Sequence, residues 1–221
     1  MAVDEKHEMR ILAAADIHGA LSIYEWLMEL AGQEKADLLI LVGDLLAGDS
    51  EEQQREQSSI VVRVLRTCSV PVLYLMGNDD LVPLAYEDER MRPLHGRAVR
   101  IGIHAFVGYE YSLPFVGGPF EKPESEIERD ALALEPLLGP TTVFVSHSPA
   151  FGILDATAFG THAGSRSLAA LLARKPPLAH IHGHVHEAFG RSGQHFNVAS
   201  AGMRRAMCIN LPSLEHRILR A

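Results

Sequence analysis

Asp16, His18, Asp44, Asn78, His147, His184 and His186 each offer an oxygen or imidazole-nitrogen lone pair, and each stands at or just beyond the end of a short apolar run. Residues 11–15 lead into Asp16-Ile17-His18, residues 38–42 into Gly43-Asp44, and residues 70–76 into Gly77-Asn78-Asp79-Asp80. Residues 142–145 lead into Ser146-His147, and residues 178–181 into His182-Gly183-His184-Val185-His186. Carboxylate, imidazole and amide oxygen together suit Mn²⁺, Fe or Zn²⁺ better than Ca²⁺ or a thiolate site. His184 and His186 point to one side when the chain is locally extended, so they address one ion each or share one. Any one of these residues is as readily a turn residue or helix cap. As a set they point to metal chemistry.

Such donors must be presented by a scaffold. Continuous apolar runs of this length read as strands buried on both faces, the pattern of a parallel sheet. Helical periodicity lies between them: residues 21–31 carry Tyr24, Leu27, Met28 and Ala31, and residues 51–66 carry Ile60, Val61, Val64 and Leu65. Residues 124–138 also read as helical, and Ser165 is the N-cap of a helix over 168–174 that Pro176-Pro177 ends. Alternating strand and helix implies an α/β sheet with right-handed crossovers, whose ligands sit beyond the carboxyl ends of the strands. Residues 195–199, 206–211 and 215–219 read as short strands of an antiparallel portion, and residues 111–123 as a flexible rim loop.

Composition narrows the function classes. With 221 residues, 47% hydrophobic and 22% charged, a single domain over 1–221 with a sizeable core is expected. The net charge of −8 and the absence of basic runs argue against binding to polymeric nucleic acid. Only Cys68 and Cys208 are present, no apolar leader opens the chain, and no window is long enough to span a bilayer. A cytoplasmic protein without a membrane partner is expected.

The blocks Asp16-Ile17-His18, Gly43-Asp44, Gly77-Asn78, His147 and Gly183-His184-Val185-His186 resemble the five-block signature of the calcineurin-like metallophosphoesterase superfamily. The stretches Phe151-Gly152-Ile153-Leu154-Asp155, Gly160-Thr161-His162-Ala163-Gly164-Ser165 and residues 180–187 are similar to a small branch that includes the MPPED proteins of animals. The resemblance implies a four-layer αββα sandwich and a two-metal centre. One ion would take Asp16, His18, Asp44 and His186; the other would take Asp44, Asn78, His147 and His184, with Asp44 bridging. Mn²⁺ is favoured, with Fe, Zn²⁺ and Ni²⁺ as alternatives. Two divalent ions roughly 3.5–4 Å apart acidify a bridging water and clamp phosphoryl oxygens, so no nucleophilic side chain is required.

The reading that follows is a phosphodiesterase acting on a small or cyclic nucleotide, by resemblance to the branch. A phosphomonoesterase, a non-catalytic interaction module and a metal-binding sensor are the alternatives, and the oligomeric state stays open. Gly43-Asp44-Leu45-Leu46 lacks the continuation found in Ser/Thr protein phosphatases. The third block departs from its commonest form: Asp79 stands where a histidine usually follows the asparagine. Asp79 either replaces that histidine or is a turn residue; two cations beside it favour its ionised form, which cannot donate a proton. His162 is either a substrate contact at a helix N-terminus or a loop residue beside the cap. His180 and His182 read as supporting or core histidines, Arg204-Arg205 as a solvated turn, and His7, His95, His104, His195 and His216 as structural or surface.

Overall fold

The structure, a computed structural model, describes residues 8–85 and 88–221; His7 lies outside the described residues. In chain order the elements are β1 (Met9–Ala14), α1 (Leu21–Gln33), β2 (Leu38–Val42), α2 (Glu51–Leu65), β3 (Val72–Leu75), β4 (Met91–Pro93), β5 (Ala98–Ile101), β6 (His104–Tyr109) and α3 (Glu124–Leu134). Then come β7 (Thr142–Ser146), α4 (Arg166–Arg174), β8 (Ala179–His182), β9 (Gly190–Ser192), β10 (His195–Asn197), β11 (Arg205–Leu211) and β12 (His216–Arg220).

They form two six-stranded sheets, ordered β12-β11-β1-β2-β3-β4 and β5-β6-β7-β8-β10-β9. The central strands β1 to β4 pair in parallel, as do β6, β7, β8 and β10. Alternation along buried strands gives each sheet two apolar faces. The inner faces meet: Ile11, Ile40 and Leu73 pack with Val143, Ile181 and Phe196. The outer face of the first sheet, with Leu12, Leu39 and Leu41, packs on Tyr24 and Leu27 of α1 and on Val61 and Leu65 of α2. The outer face of the second, with Val107, Tyr109 and Phe144, packs on Ile127 of α3 and on Leu168 and Leu171 of α4. This is the αββα sandwich expected.

Three details differ from the sequence reading. β10 is parallel to β8, so of the three tail strands only β11, against β1, and β12, against β11, pair antiparallel within the first sheet. The short strands β4, β5, β6 and β9 lie where no strand was expected. On α2 the buried stripe is Gln54, Ser58, Val61, Val62 and Leu65, while Ile60 faces solvent. The polar half of that stripe packs at the end of the sheet where the donor loops emerge, and backbone groups there need partners. No helix among the described residues is long and apolar enough to cross a membrane.

Candidate metal centre

Every candidate ligand leaves the carboxyl end of a central strand. Asp16 and His18 follow β1, Asp44 follows β2, Asn78 follows β3, His147 follows β7, and His184 and His186 follow β8. Asp16, His18, Asp44 and His184 all have left-handed backbones, with φ of 55°, 48°, 51° and 71°. Residues with a Cβ rarely adopt this region, at a cost of about 1–3 kcal/mol each, and such strain collects at functional sites. Cross-loop hydrogen bonds hold it: Asp16 N–H donates to the Gly43 carbonyl (2.9 Å), His18 N–H to Asp44 (2.9 Å), and Gly183 N–H to His147 (3.1 Å).

The glycines of the motif blocks are there for close approach. A Cβ on Gly43 would enter the His147 imidazole, and one on Gly77 would meet Asp44 and lie 2.6 Å from His147 Cε1. A Cβ on Gly183 would lie 2.7 Å from Asp16 Oδ2.

Two donor groups result. Asp16, His18 and His186 place ligand atoms within 4.8 Å of one another, and so do Asp44, His147 and His184. A third grouping of His18, Asp44 and Asp79 puts Asp44 between the two sides. The second group is deep, with the His147 side chain 0% exposed, whereas the first opens to solvent through His18 at 29% and His186 at 40%.

The chemistry of these donors fits a cation. His147 Nδ1 lies 2.8 Å from the Val42 carbonyl, which fixes the tautomer with its proton on Nδ1. Nε2 then presents a lone pair, 2.9 Å from Asn78 Oδ1 and 3.5 Å from Asp44 Oδ1. The Asn78 amide is turned this way because its Nδ2 donates to Asp79 Oδ1 at 2.7 Å. Lone pairs converging with no proton between them call for a positive ion. Electrostatics agree: burial, then the carboxylates of Asp16, Asp80 and Asp79, push Asp44 well above the usual carboxylate range. Burial pushes Asp16 the same way, but its hydrogen bond with His186 and the nearby imidazoles outweigh this and hold it low. Burial, reinforced by His147, takes His184 down to about 3, which keeps its imidazole neutral and its lone pair available.

Asp79 is drawn into this network. Its Oδ2 lies 3.5 Å from His18 Nδ1, its N–H donates to Asp44 Oδ1 at 2.9 Å, and its carbonyl accepts from Gln54 Nε2 at 2.8 Å. It is more than a turn residue. His162 is different. It lies outside the donor groups, 2.7 Å from the buried Asp155 carboxylate, against the Phe151 ring. The helix N-terminus it was read against is already satisfied, since the Glu124 carboxylate accepts from Arg166 N–H and Ser167 N–H, with Ser165 Oγ capping Leu168. His180 and His182 are buried in β8, ring against ring, and His180 reaches Ser146 Oγ (2.8 Å) and His195 (3.2 Å). Arg205 donates to the carbonyls of Ala199 and His186, which makes it part of the scaffold of the His186 loop rather than a solvated residue.

Supporting residues escaped the sequence reading. Asp80, fully buried, accepts from the N–H groups of Leu45 (2.9 Å), Leu46 (2.8 Å) and Gly77 (2.8 Å), tying the Asp44 loop to the Asn78 loop. Burial lifts it to about 6 against the pull of those donors. Gln57 accepts from Ala47 N–H and donates to the Gly19 carbonyl. The available signal was polar Gln54, Gln57 and Ser58 at helical spacing on a helix that must bury one face.

The sequence profile of calcineurin-like phosphoesterases matches residues 9–188. The chain belongs to the calcineurin-like phosphoesterase family. The TT1561 protein of Thermus thermophilus superposes with a TM-score of 0.74 at 18% identity, covering 96% of this chain and 98% of its own. A dimetal phosphatase from Danio rerio gives 0.60 at 13% identity over 96% and 98%, and a novel archaeal phosphodiesterase gives 0.50 at 14% over 96% and 99%. No curated protein sequence matches the chain. At these identities the structural matches speak for the fold, and the family's dinuclear divalent-metal centre coincides with the donor groups found here.

Proposed function

We propose that this calcineurin-like phosphoesterase is a two-metal phosphodiesterase whose substrate is a small or cyclic nucleotide-type phosphodiester. The observation that carries the reading is Asp44 placed between two groups of carboxylate and imidazole donors. Asp16, His18, Asp44 and His186 would hold one ion, and Asp44, Asn78, His147 and His184 the other. Bound there, a pair of divalent ions lowers the pKa of a water and neutralises phosphoryl charge for in-line displacement. The protein's own part is to fix the donors: Val42 orients His147, Asp79 orients Asn78, and the loops are cross-bonded before substrate arrives. Relatives in structure include both a phosphodiesterase and a dimetal phosphatase, so the fold accommodates either reaction.

Two features favour the diester. No imidazole follows Asn78 to assist a poor leaving group, and Asp79 offers a carboxylate beside His18 instead. That negative charge opposes a dianionic monoester more than a monoanionic diester. With Mn²⁺, kcat/KM for bis-nitrophenyl phosphate is expected to exceed that for mono-nitrophenyl phosphate; a clear monoester preference would overturn the assignment.

Asp79 itself gives a finer expectation. Asp79→Asn keeps an oxygen for the Asn78 amide, so most activity on activated diesters survives. Asp79→His speeds turnover of esters with poor leaving groups by ~10²-fold, because a positioned imidazole donates a proton. The check is the dependence of rate on leaving-group pKa in the wild type and both variants. Loss of turnover in Asp79→Asn at full metal content would make Asp79 catalytic.

A further inference from the structure

A cleft of about 460 Å³ opens beside His18, Asn78 and Asp79, large enough for a nucleoside-sized group. Its walls are Leu46, Leu81 and Val116, the glycine backbones of Gly48, Gly117 and Gly118, and the carboxylates of Asp49 and Asp79. Among the described residues, no lysine or arginine lines it. The 111–123 segment supplies one wall. Glu121 accepts from Val116 N–H (2.7 Å) and Gly117 N–H (2.8 Å), and this turn brings Gly118 so close to Asn78 that a Cβ there would lie 2.6 Å from the Asn78 carbonyl. The same turn leaves Phe115 78% and Val116 57% exposed, with the Phe115 ring edge-on to His184 at 6.3 Å. Two large apolar side chains left in water at the mouth of a polar site are a contact surface in waiting.

We propose that this cleft receives the organic part of the ester, and that it accepts an uncharged or cationic group with an apolar face while rejecting a second phosphate. The inference rests on the phosphodiesterase reading and narrows its substrate class to esters with a single phosphate. Any phosphate beyond the one held at the donor groups would enter a space whose described walls carry the carboxylates of Asp49 and Asp79 and no lysine or arginine to pair it. A nucleoside or a quaternary amine meets no such opposition; its apolar face would lie on Leu81 and Val116, with the exposed Phe115 adjoining, and a cation would gain from Asp49.

The test uses isothermal titration of the Mn²⁺-reconstituted protein with AMP, phosphocholine and adenosine 3′,5′-bisphosphate, alongside hydrolysis of bis-nitrophenyl phosphate. AMP and phosphocholine are expected to bind, and the bisphosphate to bind at least about tenfold more weakly than AMP. Asp49→Lys narrows that gap and weakens phosphocholine; Asp49→Asn does both in smaller degree. Phe115→Ala weakens AMP about fivefold or more, the usual worth of a stacked base. If bis-nitrophenyl phosphate is hydrolysed but the bisphosphate binds as tightly as AMP, or Asp49→Lys leaves the ratio unchanged, the selectivity proposal fails and the phosphodiesterase reading stands. If the protein holds both ions yet hydrolyses no diester, both fall.

Discussion

Asp44→Ala is expected to empty both metal positions, whereas His186→Ala weakens only one. The asymmetry follows from where the two residues sit. Asp44 is buried between His147 and His184 on one side and His18 on the other, so its loss takes a donor from each group. His186 belongs to the solvent-facing group alone and contacts Asp16 at 3.1 Å. Removing a residue that merely orients a ligand costs roughly 10–100-fold in metal affinity or activity, so removing the shared ligand costs at least about 100-fold in turnover. Elemental analysis after Mn²⁺ reconstitution is expected to give two ions per chain for the wild type, near one for His186→Ala, and near none for Asp44→Ala. Thermal melting supplies an independent reading, because an ion that binds only the folded chain raises its midpoint. Mn²⁺ is expected to raise the midpoint of the wild type and not that of Asp44→Ala. A wild type that saturates at one ion, or an Asp44→Ala variant that still holds two, would sink the shared-ligand assignment.

How much of this was legible in the sequence depends on what each residue does. The donors were legible because a buried parallel strand must end in a turn, and turn residues with lone pairs beyond several such strands stand out. One helix end was legible from its cap, as Ser165 provides for α4; the Ser50 cap of α2 was not read. The strands β4, β5 and β6 were not. β6 carries His104 and Gly108, which break its apolar run, and Gly108 is there because a Cβ would strike Leu94. Ile60 was placed on the wrong face of α2, since hydrophobicity alone cannot reveal that Gln54 is needed inside to bond Gly48, Asp79 and Leu81. Asp80 passed as one more turn acid, although its carboxylate collects three backbone N–H groups from two loops. The left-handed backbones of Asp16, His18, Asp44 and His184 leave no mark in composition or period. Residues that donate to a metal announce themselves by type. Residues that hold those donors in place act through backbone contacts, which only the folded chain displays.

Gly77 puts that distinction to a quantitative test. Its backbone lies against the Asp44 carboxylate and the His147 ring, and its own N–H is held by Asp80 at 2.8 Å. A methyl group at this position has no flexible neighbour to displace: one contact is the Asp44 backbone nitrogen at 2.5 Å, and another is the imidazole carbon at 2.6 Å. Overpacking of this kind costs about 1–3 kcal/mol. For a chain of this size, that lowers the melting temperature by roughly 2–12 °C. The displacement falls on Asp44 and His147, so the deep position is expected to lose its ion before the solvent-facing one. Gly32 supplies the comparison, because nothing lies within 4 Å of a Cβ built there and it sits inside α1. Gly32→Ala is expected to gain about 0.5–1 kcal/mol from helix propensity and to keep both ions. Melting the two variants with and without Mn²⁺, and counting bound ions, separates packing from ligation. If Gly77→Ala melts like the wild type and retains two ions, the glycine is not there for close approach, and the tight contact between the Asp44 and Asn78 loops is not what fixes the deep donors.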